Sequence, residues 1–288
     1  MRDGLKGNVF DTATVGFVSG ERNAEDTIAK SFTAKETWCK EPQQIINYAS
    51  CHDNNTLFDR LRGSRTDASE EDIIKMNNLA AAYYMMAEGV PFMQAGEEML
   101  REKVNEDGTY NANTYNAGDE INSIKWDTLE EEKYANVLEY YKGLIAFRKA
   151  HAALRLSTSE EVDKYVTVLE ELGDNIVGFN IKGGQEGESA KEMYLFFNAN
   201  AEDKKVTLPQ GKWSVYINGE KAGTDAIEVL NGGEVTVSAI APLVLVKEGA
   251  AGNKNGTILL ILVLVVILGG AGIFVGSRFR KQSKKKQS

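Results

Sequence analysis

Two cysteines and two histidines in 288 residues leave little material for crosslinks or metal sites. Cys39 and Cys51 are too few for a disulfide-stapled scaffold. With His52 and His151 as the only histidines, they match no zinc-ligand spacing. Both cysteines read as packing residues, with a Cys39 to Cys51 bridge as the alternative that an oxidising compartment would allow. No cofactor is indicated, and the residues leave a structural calcium open. Internal repeats are absent. The opening MRDGLKGNVF has no apolar run of the kind a secretion signal needs, so the chain is expected to be a fragment or to continue upstream. Basic residues are also in deficit, at 33 Lys and Arg against 42 Asp and Glu, for a net charge of -9. Six of those positive charges (Arg278, Arg280, Lys281, Lys284, Lys285 and Lys286) crowd the last eleven residues, and taking 6 from -9 leaves the body near -15. Such a body repels phosphate backbones. Nucleic acid is excluded as a partner, whereas a neutral polysaccharide is indifferent to the charge.

With 42% hydrophobic and 26% charged residues, the chain can bury a sizeable core. Its longest apolar run, Thr257 to Val275, reads TILLILVLVVILGGAGIFV without one charge. That length crosses the ~30 Å hydrocarbon core of a bilayer as a helix. The basic cluster that follows places residues 276–288 in the cytoplasm and everything before the span outside the cell. The lipid bilayer is thus an expected partner, and a single-pass cell-membrane location is expected. Residues 249–256, GAAGNKNG, read as a short flexible stalk.

The body divides by periodicity. Up to Leu156, short apolar runs alternate with helical patterns: QQIINYAS, then EEDIIKMNNLAAAYYMMAEG, then VPFMQAGEE, then EEKYANVLEYYKGLIAFRKAH with Asp127 or Thr128 as nearby caps. Strand, helix, strand, helix is the grammar of a parallel sheet or barrel. From 157 to 248 the runs become short and alternating, from KYVTVLEEL to PLVLVKE, with Gly173 to Asp174, Gly183 to Gly184, Pro209 to Gly211 and Gly232 to Gly233 as separating turns. This spacing predicts an antiparallel β-sandwich.

The most informative stretch is INYASCHDNNTLFDRL, Ile46 to Leu61, which sets His52 and Asp53 just past the end of a predicted strand. Taken alone, the pair is equally well a satisfied loop histidine and a helix cap. In context the stretch resembles the fourth signature segment of the α-amylase superfamily, in the form of its pullulanase branch. RDGLKGNVFD, GVPFMQAGEEMLREK, NTYNAGDEINSIKW and LIAFRKAHAALR resemble further pullulanase segments in the same order. Thr114 stands where those enzymes have Ser, and Lys125 where they have Asp. The resemblance covers roughly residues 1–248. It implies the C-terminal part of a (β/α)₈ barrel (1–156), then the sandwich (157–248), the linker (249–256), the membrane helix (257–275) and the basic tail.

The activity implied is that of a retaining glycosidase acting on α-1,6 linkages in pullulan, starch or glycogen, with an α-glucan as partner. That chemistry needs a nucleophilic carboxylate and a general acid ~5–5.5 Å apart. The family carries both in Gly-Phe-Arg-x-Asp and Gly-Glu segments on earlier strands. Neither segment occurs here, so the chain alone is expected to be inactive. By resemblance, Asp53 is the third family carboxylate, which stabilises the distorted sugar of the transition state, and His52 is its neighbour. Asn54, Asn113 and Tyr115 are candidate substrate contacts, as well explained as turn and packing residues. Glu97 and Glu98 tempt as an acid/base pair, but adjacent side chains diverge, and both read as structural. Trp38, Trp126 and Trp213 could stack on sugars but are more simply core or rim packing. The rival reading is a non-catalytic, membrane-anchored α-glucan-binding protein.

Overall fold

The computed structural model describes residues 1–35 and 38–249. The expected membrane span at 257–275, the basic tail and most of the stalk lie outside the described residues. Among the described residues, no helix is long and apolar enough to cross a membrane. Residues Met1–Glu248 form one compact unit.

The helical region contains α1 (Arg2–Lys6), α2 (Glu25–Phe32), β1 (Ile46–Asn47), α3 (Leu57–Ser64), α4 (Glu70–Met86), β2 (Val90–Pro91), α5 (Asp119–Asn122) and α6 (Glu132–Ala150). The strands β1 and β2 pair in parallel, Ile46 opposite Val90 and Asn47 opposite Pro91, with α3 and α4 as the crossover between them. This is the βα unit the periodicity predicts, reduced to a two-stranded sheet. Helix α4 starts where the Ser69 hydroxyl accepts the Asp72 N–H at 3.1 Å, with Glu70, Glu71 and Asp72 complementing the helix dipole. Every residue from Met76 to Met86 is buried, which fits a helix apolar on all sides. Neither Asp127 nor Thr128 caps α6. A 3₁₀ turn at Trp126–Glu130 leads into Glu131 instead.

After the short helix α7 (Ser159–Tyr165) come β3 (Val166–Leu169), β4 (Ile176–Lys182), β5 (Ala190–Asn198), β6 (Lys204–Ile217), β7 (Glu228–Val237) and β8 (Ala241–Glu248). They make one antiparallel sheet in the order β3-β4-β5-β8-β6-β7, where a sandwich would have two. Pro209 to Gly211 and Gly232 to Gly233 do not separate strands. They form a bulge inside the long β6–β7 hairpin, whose register shifts between Leu208 and Lys212. Gly211 and Gly233 adopt positive φ there, and a Cβ on Gly232 would meet the Pro209 carbonyl oxygen at 2.1 Å. The bulge bends the hairpin without giving up its ladder. It gathers Val206, Leu208, Trp213, Val235 and Val237 with Ile176, Phe196 and Leu245 into a second core.

The opposite face of the sheet has no core of its own. Val177, Phe179 and Ile181 of β4, Met193, Leu195 and Phe197 of β5, and Val244 and Val246 of β8 share one cluster with Phe32 of α2, Tyr83 of α4 and Phe147 of α6. Phe32 stacks on Phe179 with centroids 3.7 Å apart, and Tyr83 meets Phe197 edge-on at 4.8 Å. The expected second sheet of a sandwich is thus replaced on this face by helices. Polar ties cross the same joint. Glu188 accepts the backbone N–H of Ala153 at 2.9 Å and meets His151 Nδ1 at 2.8 Å. Glu88, fully buried, accepts the Leu156 N–H at 2.9 Å.

Two outcomes follow from the joint. Phe179→Ala is expected to cost ~3–5 kcal/mol and to lower helical circular dichroism and Trp213 fluorescence in a single shared urea transition; separate transitions would mean independent cores. Burial raises the Glu88 carboxyl from 4.5 to about 8. The folded state therefore holds a proton that the unfolded chain releases, and this contribution is full below 4.5 and lost as pH climbs towards 8. Glu88→Gln, which keeps an acceptor for Leu156 and does not titrate, is expected to gain Tm on the wild type between pH 5 and 8.5. A pH-independent difference would refute it.

Candidate functional site

Because β1 and β2 run parallel, the segments that follow them leave the same end of the pair, where parallel α/β folds gather functional loops. After β1 the chain buries Ala49 and Ser50, then bends at residues 52–54. Asn54 supplies the left-handed conformation of that bend, at φ 64°, which asparagine tolerates. Thr56 then caps α3, its hydroxyl accepting the Asp59 N–H at 3.2 Å. The bend lifts His52 and Asp53 into solvent, with side chains 89% and 75% exposed and His52 Nε2 3.6 Å from Asp53 Oδ1.

The facing wall comes from a hairpin that sequence reasoning missed. Val104 bridges Tyr110 around a tight turn in which Asn105 accepts the Gly108 N–H, and the Lys103 carbonyl accepts the Asn111 N–H at 2.8 Å. Asp107–Gly108 is the dipeptide that could have announced it. Asn122 Nδ2 then donates to the carbonyls of Thr114 and Ala117, clamping the loop that bears Asn113 and Tyr115.

His52, Asp53, Asn113 and Tyr115 line one pocket of about 190 Å³ together with Lys103, Thr114 and Asn122. Asn54 does not line it, because its role at the bend is a backbone one. Asp53 is the only carboxylate in that lining among the described residues. Thr114, the replacement for Ser, keeps a hydroxyl in place: it is buried and accepts from Lys103 Nζ at 2.7 Å. Lys125, the replacement for Asp, lies exposed and binds Ser123 Oγ and the Asp119 carbonyl, outside the pocket.

Under the pocket Asp59, buried within α3, accepts the Lys103 N–H at 2.7 Å. Burial raises this carboxyl to about 6. The Lys103 ammonium is pushed below the usual lysine range by desolvation and by Arg101, against the opposing pull of Asp59 and Asp53.

Glu97 and Glu98 part company as expected of neighbours. Glu97 sinks into the core and accepts the hydroxyls of Ser50, Tyr84 (2.7 Å) and Tyr141 (3.2 Å), and burial raises its carboxyl. Glu98 accepts the Gly96 N–H at 2.9 Å. Neither lines the pocket. Of the three tryptophans, Trp213 is core, and Trp38 and Trp126 are exposed. No disulfide joins Cys39 and Cys51. Among the described residues, no group of three or more His, Cys, Asp or Glu side chains could hold a metal.

Residues 162–221 match the family model described as the all-β domain of pullulanase. A pullulanase of Bacillus subtilis strain 168 is 28% identical over 215 residues, which span 73% of this chain and 29% of that protein. Chloroplastic pullulanase 1 of Arabidopsis thaliana is 36% identical over 125 residues, 43% of this chain and 12% of that protein. Among solved structures, a pullulanase from Bacillus acidopullulyticus superposes with a TM-score of 0.79 at 35% identity, over 85% of this chain and 29% of its own. The type I pullulanase of Bacillus subtilis complexed with maltose superposes with a TM-score of 0.78 at 25% identity, over 86% of this chain and 34% of its own. The resemblance read from the motifs is borne out, and the chain spans under a third of these curated relatives.

The two glutamates make distinct predictions. Glu97→Ala, which strands three buried hydroxyls, is expected to cost about 3 kcal/mol or more, and Glu98→Ala about 0.5 kcal/mol, by urea midpoint. Equal effects would contradict the separation.

Proposed function

We propose that this relative of the pullulanases forms one wall of an α-glucan site in a cell-surface glycosidase that hydrolyses α-1,6 linkages with retention of configuration. The observation that carries the reading is the convergence of His52, Asp53, Asn113 and Tyr115 on one pocket, all four from the two segments that the motifs single out. In this reading Asp53 accepts hydroxyl hydrogens of the sugar at the cleavage point and holds it towards an oxocarbenium-like shape, with His52 on the same sugar. Asn113 and Tyr115 contact it from the facing loop. Tyr115, 84% exposed, offers a ring face of the kind that packs on sugar.

The nucleophile and the acid belong to earlier strands of a (β/α)₈ barrel of which β1 and β2 are the last two. The pocket has a single carboxylate, so the chain alone has no chemical route for cleaving the bond. Residues 257–275 anchor the protein in the cell membrane, with the folded body outside and the basic tail inside.

Incubation with pullulan is expected to release no reducing sugar from the chain alone. Maltotriose is expected to bind, and Asp53→Asn to weaken it about 10- to 100-fold, the range for one hydrogen bond to a charged group. Hydrolysis by the chain alone would overturn the half-site reading. Binding untouched by Asp53→Asn would take the sugar out of this pocket.

A further inference from the structure

The cation of the pocket has no place in the reading so far. Lys103 is 5% exposed, yet it lines the pocket beside Asp53. Its backbone is fixed on both sides, the N–H to Asp59 Oδ2 at 2.7 Å and the carbonyl to the Asn111 N–H at 2.8 Å. Its side chain is fixed too, because Nζ donates to Thr114 Oγ1 at 2.7 Å. An ammonium carries three N–H donors. Thr114 takes one, and no other acceptor lies within hydrogen-bonding distance among the described residues. The remaining donors of this pocket-lining ammonium are open to an acceptor on a bound ligand.

A sugar hydroxyl has the complementary chemistry. It can accept from an ammonium while donating to a carboxylate, and each of these bonds is strengthened by the charge at its end. Asp53 supplies that carboxylate on the opposite wall.

We propose that Lys103 is a glucan-binding residue: its ammonium, oriented by the Thr114 hydroxyl, donates to a hydroxyl of the sugar that Asp53 holds. The proposal rests on the α-glucan reading of the pocket and adds to it a cation and a direction. Thr114 becomes the positioning residue of that cation, acting through Lys103 rather than on the sugar.

The test is a maltotriose titration of the full chain carrying ε-¹³C-lysine, with the Lys103 signal assigned from Lys103→Met and the His52 imidazole followed in parallel. The Lys103 signal is expected to shift along the same saturation curve as His52. Lys103→Met is expected to weaken binding about 10- to 100-fold, and Thr114→Val, which keeps the charge but frees its orientation, by a smaller factor. A His52 signal that saturates while Lys103 stays still overturns this inference and leaves the glucan reading intact. If neither signal moves, the glucan reading fails and takes this inference with it. The titration is read on the wild-type chain, and should Lys103→Met fail to fold, Lys103→Arg, which keeps the cation, supplies the assignment instead.

Discussion

The stack of Phe32 on Phe179 is the contact on which the rest of the molecule depends. It joins α2 to β4, and with Tyr83 and Phe197 it presses α4 onto the inner face of the sheet. A helix buried on every side is stable only where packing surrounds it, so α4 needs the sheet as much as the sheet needs α4. One turn's worth of α4 then transmits this to the pocket. Tyr83 faces the aromatic joint, and its neighbour Tyr84 donates to Glu97, which also holds Ser50 at the foot of the bend that carries His52 and Asp53. The exposed pair is therefore tethered to the deepest part of the core through two hydrogen bonds.

Buried charge is used throughout to fix irregular chain. Arg60 donates to the carbonyls of Asn8, Asp11, Thr12 and Thr14, tying the segment after α1 to α3. Arg148 does the same for Met85, Ala87 and Gly89, the run that links α4 to β2. Burial lowers both guanidinium groups from their ordinary value, and each keeps its charge at neutral pH because a planar fork of donors meets several carbonyls at once. Lys103 differs from these two: its ammonium meets a single protein acceptor, at the surface of a pocket rather than inside the fold.

The alternation of βα units and the change to strands after residue 156 were legible because both rest on period. The strands β1 and β2 could be placed from apolar runs alone, and His52 and Asp53 from the motif around them. What was not legible was set by tertiary contact. Pro209 to Gly211 looks like a turn in any local window, and only the register of β6 on β7 makes it a bulge. Lys103 reads as an ordinary surface cation after two glutamates. Its burial depends on Asp59 and Thr114, 44 and 11 residues away along the chain. The shared core was hidden for the same reason: β4 and β5 alternate as a sandwich strand would, and the sequence does not say that helices rather than a second sheet cover one face.

The parallel pair β1–β2 presents apolar side chains that the described residues do not cover. Ile46 is 59% exposed, Val90 39% and Phe92 44%. Each carries area worth roughly 25 cal/mol per Å² once removed from water. Two parallel strands of two residues each are also far short of a stable sheet, since parallel sheets persist only when they are buried on both faces. The same end of this pair bears the His52–Asp53 bend. In the proposed barrel, earlier strands would cover this apolar edge and bring the two missing carboxylates to the open side of the pocket. Completing the fold and completing the chemistry would then be a single event: the apolar edge that leaves the two-stranded pair unfavourable would be the surface that recruits the rest of the proposed active site.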